Sequence, residues 1–399
     1  MDCSEIIYLD NAATTQMHPE AFDAMRPYLT SEYFNPSSLY APAQHEKMAL
    51  ERSRAYLAST INARPSELRF TSGGSEADNA ALKGIALANQ EKGNHLIVSS
   101  VEHHAVLESA RWLERRGFEV TYLPVDSNGR VSPESLRRAI RPDTVLVSVM
   151  TANNEVGSIQ PIAKLAAIAH ELGVLFHTDA VQAYGHIPLD VAALGVDALS
   201  VSAHKFHGPK GVGFLYCKRG LKTEPLISGG AQERGYRAGT ENVAGIVGME
   251  AAARIAFGDC IGSGCEGNAS FRIGQAASDV RALRERMKIF IQERIGHARI
   301  NGSQDECLPG ILSVSFKGVS GEALLALLDQ RGVCASAGSA CASGSLEPSH
   351  VLTAMGVQSE WLRGTVRFSF SAQTAAAEVD RACEILRDAV QHLRAVNAQ

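Results

Sequence analysis

The sequence predicts an α/β protein: a mostly parallel sheet with helices on both faces, joined to a smaller α+β domain. Three observations carry this. Short apolar runs alternate with helical patterns from about residue 68 to 220, and such alternation builds a parallel sheet with crossover helices. The texture changes after about residue 255, where strands become sparse. A chain of 399 residues also exceeds what one simple core holds, so two domains are expected.

The elements follow in order. Glu67–Thr71 reads as a strand, then a Gly-Gly turn and a helix from about Ser75. His95–Ser100 is apolar and bounded, and a helix follows over Ala105–Arg116. Phe118–Val125 is a strand. Ser132-Pro133-Glu134 opens a helix, with serine as N-cap and proline at the first helical position. Strand Thr144–Met150, helix Ile162–Leu172 and strand Val174–His177 come next, then strands Ala198–Ser202 and Gly213–Cys217. Residues 258–268 are Gly-rich and read as a surface turn holding Cys260 and Cys265. Beyond it Ala276, Val280, Leu283, Met287, Ile291 and Ile295 step by three or four, as one face of a long helix requires. Strands Ile311–Phe316 and Thr365–Phe370 and helices Gly321–Arg331 and Ala375–Val396 complete the second domain.

Composition excludes several classes. Hydrophobic residues make up 45% and charged residues 20%, so the chain can bury a core and is not disordered. A net charge of −5 argues against a nucleic-acid binder. The first residues lack the basic and apolar regions of a signal peptide, and no apolar run is long enough for a bilayer. A cytoplasmic protein without membrane contact is expected. The eight cysteines form no C-x-x-C pair. They read as reduced thiols, most of them small buried hydrophobes.

In an open α/β sheet, ligands bind at the carboxyl ends of the strands. Four motifs fall there. Ser202-Ala-His-Lys205 ends a strand, and a lysine so placed can form a Schiff base with a carbonyl cofactor. Asp179 ends the preceding strand, where a carboxylate can pair with a protonated pyridinium nitrogen. Thr71-Ser-Gly-Gly-Ser75 joins a strand to a helix N-terminus, a natural phosphate cradle. His103, just after a strand, can stack on an aromatic cofactor and carry protons. Alone, each has an ordinary reading: a solvated lysine, a capping carboxylate, a common βα turn, a surface histidine. The neighbouring His103 and His104 lack the spacing of a metal pair on one helix face.

The chain resembles the NifS/IscS type of cysteine desulfurase, within the class-V aminotransferase family of fold-type I pyridoxal-phosphate (PLP) enzymes. Ten segments in order carry the resemblance: Leu9-Asp-Asn-Ala-Ala-Thr-Thr15, Phe34-Asn-Pro-Ser-Ser38, Phe70-Thr-Ser-Gly73, Glu102-His103, Asn153-Asn-Glu-Val-Gly157, Asp179-Ala-Val-Gln182, Ser202-Ala-His-Lys205, Gln232–Thr240, Gly338-Ser-Ala-Cys341 and Val366-Arg-Phe-Ser369. It implies a large domain of residues 16–255 on a mostly parallel seven-stranded sheet, and a small α+β domain of 1–15 and 256–399. It implies that Lys205 holds PLP, that Asp179 pairs with the ring nitrogen and Gln182 with the ring hydroxyl, and that His103 stacks on the ring. Gly74, Ser75, Ser202 and His204 would hold the phosphate, with Thr240 supplied by the other subunit of a homodimer. Asn154 would lie beside ring and substrate. Asn35 and Arg367 would grip the substrate carboxylate, and Arg367 suits this as a planar fork in an otherwise apolar strand. Cys341 would accept sulfur, and it lies among small residues where a thiol can be reached. No resident metal is implied, though Cys341 could serve as a transient iron–sulfur ligand.

The implied reaction takes sulfur from L-cysteine, gives L-alanine and leaves a persulfide on Cys341. An acceptor protein then receives it, such as an iron–sulfur scaffold, a thiouridine-forming enzyme or a nitrogenase-type assembly factor. The rival readings are a selenocysteine lyase, another PLP β-lyase or aminotransferase, and a scaffold without catalysis. An aminotransferase has no use for Cys341.

Overall fold

The computed structural model describes residues 6–258, 269–337 and 348–397. In chain order the elements begin with β1 (Ile7–Tyr8), α1 (Pro19–Thr30), α2 (Ala41–Ser59), β2 (Leu68–Thr71), α3 (Gly74–Ala88), β3 (His95–Ser99) and α4 (His104–Glu114). Then come β4 (Glu119–Leu123), α5 (Pro133–Ala139), β5 (Thr144–Ser148), α6 (Ile162–Glu171), β6 (Leu175–Asp179), α7 (Val191–Leu194), β7 (Ala198–Ser202), β8 (Gly213–Cys217) and α8 (Val243–Phe257). The last part holds α9 (Ala269–Arg294), β9 (Ala298–Asn301), β10 (Ile311–Phe316), α10 (Gly321–Gln330), β11 (Val333–Cys334), α11 (His350–Ala354), α12 (Ser359–Leu362), β12 (Thr365–Ser369) and α13 (Ala376–Asn397).

Seven strands form one sheet in the order β2-β8-β7-β6-β5-β3-β4. Only β8 runs against its neighbours, β2 and β7, and the other pairings are parallel. The α/β expectation is therefore met, with all seven strands where the sequence placed them. The strands β3, β5, β7 and β8 are buried along their whole length, and β6 from Phe176 onward, as a sheet covered on both faces requires. The expected cap of α5 is present: Ser132 Oγ accepts from Ser135 N at 3.4 Å, with Pro133 in the first turn.

A second core lies around the three-stranded sheet β12-β10-β9. Met287 and Ile291 of α9 pack there with Phe316, Phe368 and Leu386. Ile7 and Leu9 join this core, although they stand at the start of the chain. They do so because β1 pairs in parallel with β11. The segment after β1 then runs across the carboxyl ends of β6 and β7, where Thr15 N donates to His204 O at 2.9 Å. Residues 10–15 are thereby laid over the main sheet. The expected turn at 258–268 lies, beyond Gly258, outside the described residues, as do Cys260 and Cys265. No helix among the described residues is long and apolar enough to cross a membrane.

Candidate active site

A cavity of about 270 Å³ opens at the carboxyl ends of β6 and β7, under residues 12–13. Lys205 enters it from the short 3-10 turn Ala203–Lys205 that follows β7. Its Nζ donates to the carbonyls of Ala12 and Ala13, each at 2.7 Å. Asp179, the last residue of β6, lies in the same cavity and is 4% exposed. Burial pushes its carboxyl up to about 6; a hydrogen bond from Val181 N and the charge of Lys205 restrain the rise. Asp179 is thus ionised near neutral pH although it is buried, ready to hold a cation. Gln182 Nε2 donates to Ala12 O at 2.9 Å.

His103 is the N-cap of α4, and its Nδ1 accepts from Ala105 N at 3.1 Å. The neutral ring therefore carries its proton on Nε2. Burial pushes His103 down to about 4, with the charges of Lys205, His104 and His350 adding to the effect. It is a neutral ring at physiological pH, suited to stacking and to donating from Nε2.

A second cavity, of about 410 Å³, adjoins the first at the start of α3. Ser75, Ser202, His204 and Lys210 line it. Gly73 caps α3 at φ +142° and offers no side chain to the first-turn N–H groups. Those donors, beside a hydroxyl pair and a lysine, suit an anion. The cradle needs glycine at another point too. A Cβ on Gly213 would lie 2.3 Å from Val201 O and 2.9 Å from Gly73 Cα, so β8 passes the turn with no room for a side chain.

Arg367, in the middle of β12, reaches the first cavity and is 1% exposed. Nη1 donates to Asn154 O and Nη2 to Asp10 Oδ1, both at 2.8 Å. Its Nε is buried without a hydrogen-bond partner among the described residues. The guanidinium is thus fixed by a structural ion pair and still has donor capacity to spend. Asp10 also accepts from Ser336 Oγ at 2.8 Å.

The structure thus brings Gly74, Ser75, His103, Asn154, Asp179, Gln182, Ser202, His204, Lys205 and Arg367 to one cavity. It does not bring Asn35 or Thr240 there. Asn35 is exposed between α1 and α2, and its Oδ1 accepts from Ser37 N at 2.9 Å. Thr240 is exposed just before α8. Cys341 lies outside the described residues. The sequence reading gave no role to Asp10, Asp78, Glu155, Lys210 or His350, all of which stand at these two cavities or hold a residue that does. Among the described residues, no cluster of three or more His, Cys, Asp or Glu could hold a metal ion.

The donor set fits PLP: an anion cradle at a helix N-terminus, a buried carboxylate one strand away, and a lysine between them. The family model for aminotransferase class-V matches residues 7–382. The chain is 48% identical to a "Cysteine desulfurase IscS" from Methanosarcina thermophila, over 98% of this chain and 93% of that protein. Among solved structures, a "NIFS-LIKE PROTEIN" superposes with a TM-score of 0.88 at 36% identity, over 97% of this chain and all of the other. "SspA in complex with cysteine" superposes at 0.79 and 36% identity, over 92% of this chain and all of the other.

Proposed function

The chain belongs to the aminotransferase class-V family, and on that premise we propose that it is a PLP-dependent cysteine desulfurase that carries sulfur as a persulfide on Cys341. The observation that supports this most is the convergence of Lys205, Asp179, His103 and Arg367 on one cavity from four separate parts of the fold.

PLP, when bound, supplies an electron sink for negative charge at the substrate's Cα. Lys205 would hold the cofactor, with Gly74, Ser75, Ser202 and His204 around its phosphate and Asp179 and Gln182 at its ring. Arg367 would bind the cysteine carboxylate, with Asn154 at its side, and so orient the Cα–H toward Lys205 Nζ, which removes that proton. His103 would present its Nε2–H to the substrate sulfur as a donor, since its Nδ1 is held by Ala105 N. The Cys341 thiolate would then attack that sulfur. The new S–S bond forms as the C–S bond breaks; its electron pair stays with the carbon fragment, which takes a proton and leaves as alanine.

The finer parts of the reading follow from the same premise. Asn35 and Thr240, exposed and away from their own chain's cavity, suit contacts made across a homodimer. The persulfide would pass to a sulfur-acceptor protein such as an iron–sulfur scaffold in the cytoplasm. The division into residues 16–255 and 1–15 with 256–399 places Arg367 and Cys341 on the smaller part and Lys205 on the larger.

The test is direct. Borohydride treatment of the PLP-loaded protein, followed by peptide mapping, should place the cofactor on Lys205, and cysteine should yield alanine and sulfide in equal amounts with a reducing thiol. Label on another lysine, or alanine without sulfide, would overturn the reading.

A further inference from the structure

The wall beneath Asp179 holds more carboxyl groups than its cations can balance. Asp78 lies on α3, four residues after Gly74 and so on the same helix face, and it lines the active-site cavity at 1% exposure. Its Oδ1 is buried with no hydrogen-bond partner among the described residues. Glu102, which precedes α4, is fully buried as well. Its Oε1 accepts from Ser99 Oγ at 2.5 Å and Met150 N at 2.7 Å, while Oε2 is left without a partner.

The groups facing Asp78 are Asp179 and His177 from β6, Ser200 from β7, and Glu102. His177 Nε2 stands 3.8 Å from Asp78 Oδ1, but this ring brings no charge. Its two nitrogens are engaged by Ser148 Oγ at 2.9 Å and Ser200 Oγ at 3.0 Å, and burial pushes it down to about 3. Burial raises the carboxyl of Asp78 well above its ordinary range, and the charges of Asp179 and Glu102 raise it further, against a hydrogen bond from Ser200. Carboxyls crowded in a buried wall cannot all ionise, and protons settle on the groups least able to lose them, Asp78 and Glu102. Asp179 keeps the charge because Val181 N and Lys205 favour its anion.

We propose that Asp78 is a second carboxyl contact for the PLP ring, present as the neutral acid beside the anionic Asp179. The pair then offers the ring one anion, matched to one pyridinium charge, and one O–H group that can donate. This rests on the reading of the cavity as a PLP site.

Infrared difference spectra between wild type and Asp78→Asn, taken at neutral pH with and without PLP, read the protonation state directly. The expected result is loss of a carboxylic-acid C=O band in both states; loss of a carboxylate band in its place would refute the proposal. PLP affinity, followed by the cofactor's absorbance, supplies the second readout. Asn can still donate and should bind PLP within about threefold of wild type, whereas the similarly shaped but apolar Leu should bind it about tenfold more weakly. An Asp78→Leu protein that folds and binds PLP as wild type does would also refute it. Failure of the wild-type chain to take up PLP would instead sink the reading of the cavity, and the infrared result on the cofactor-free protein would still decide the state of Asp78.

Discussion

Replacing Arg367 with lysine keeps a positive charge in β12 but removes the fork. In the native chain Nη1 is committed to Asn154 O and Nη2 to Asp10 Oδ1, at 2.8 Å each, while Nε is left with donor capacity. An ammonium is one nitrogen on a shorter stem; it can keep the Asp10 ion pair but cannot also present a two-point face to a carboxylate. The contact forfeited is one charge-assisted hydrogen bond, worth about 1.5–3 kcal/mol. At about 1.4 kcal/mol per decade that is about a 10- to 150-fold loss of kcat/KM. The substrate carboxylate is held equally before and during the reaction, so the loss should fall on KM, with kcat within about threefold. Alanine formation measured against cysteine concentration gives both constants, with the absorbance of bound PLP as the control for an intact site. A KM within about twofold of wild type, or a fall confined to kcat, would refute the assignment of Arg367 to the carboxylate.

Three further outcomes are expected. Burial pushes Glu102 up to about 8, so the folded protein holds a proton that the unfolded chain releases above about 4.5. The stability this gives is full below that value and is lost as pH rises toward 8; Glu102→Gln should weaken the dependence, which Asp78 and Asp179 share, and be more stable near pH 8 by about 1–3 kcal/mol in urea unfolding. An unchanged slope against pH would contradict the buried acid. Gly213→Ala should lower stability by about 1–3 kcal/mol and weaken PLP binding, because the added Cβ meets the backbone of Val201 and Gly73; unchanged PLP affinity would show that the turn is not held by β8. Mixing a Lys205→Ala chain with a Thr240→Ala chain should restore up to about one quarter of wild-type activity, since half the dimers are hybrids with one intact site. No recovery under conditions where subunits exchange would argue against a shared site.

The main sheet was legible because each strand is a short apolar run closed by turn residues, and the chemistry stands at those closures: Asp179 at the end of β6, Lys205 just past β7, Gly73 past β2. Three of the longer helices were not legible. In α1, Pro27 interrupts the pattern. In α2, small residues such as Ala43, Ala49 and Ala58 give little apolar contrast. In α8, apolar residues and glycines run almost all round the helix, so no polar stripe marks its period. Asp10 and Asp78 were missed for another reason. Each looks like an ordinary turn or helix carboxylate until Arg367, His177 and Asp179 are folded beside it. The crossing of residues 10–15 over the sheet depends on β1 pairing with β11 over 300 residues away, which no local periodicity reveals.

The central claim is that sulfur leaves cysteine by attack of one thiol, and mass spectrometry of the Cys341→Ser protein tests it most directly. Wild type incubated with cysteine should gain one sulfur atom on the peptide that holds Cys341. The variant should keep the absorbance of bound PLP, gain no sulfur on any peptide and release no alanine above background. Cys334 should not replace the lost thiol: it is fixed in β11 beside β1, and burial with the charges of Asp329 and Asp10 pushes its thiol up, away from the reactive anion. Release of alanine by Cys341→Ser at the wild-type rate would contradict the account and make the enzyme a β-lyase that needs no sulfur-accepting cysteine.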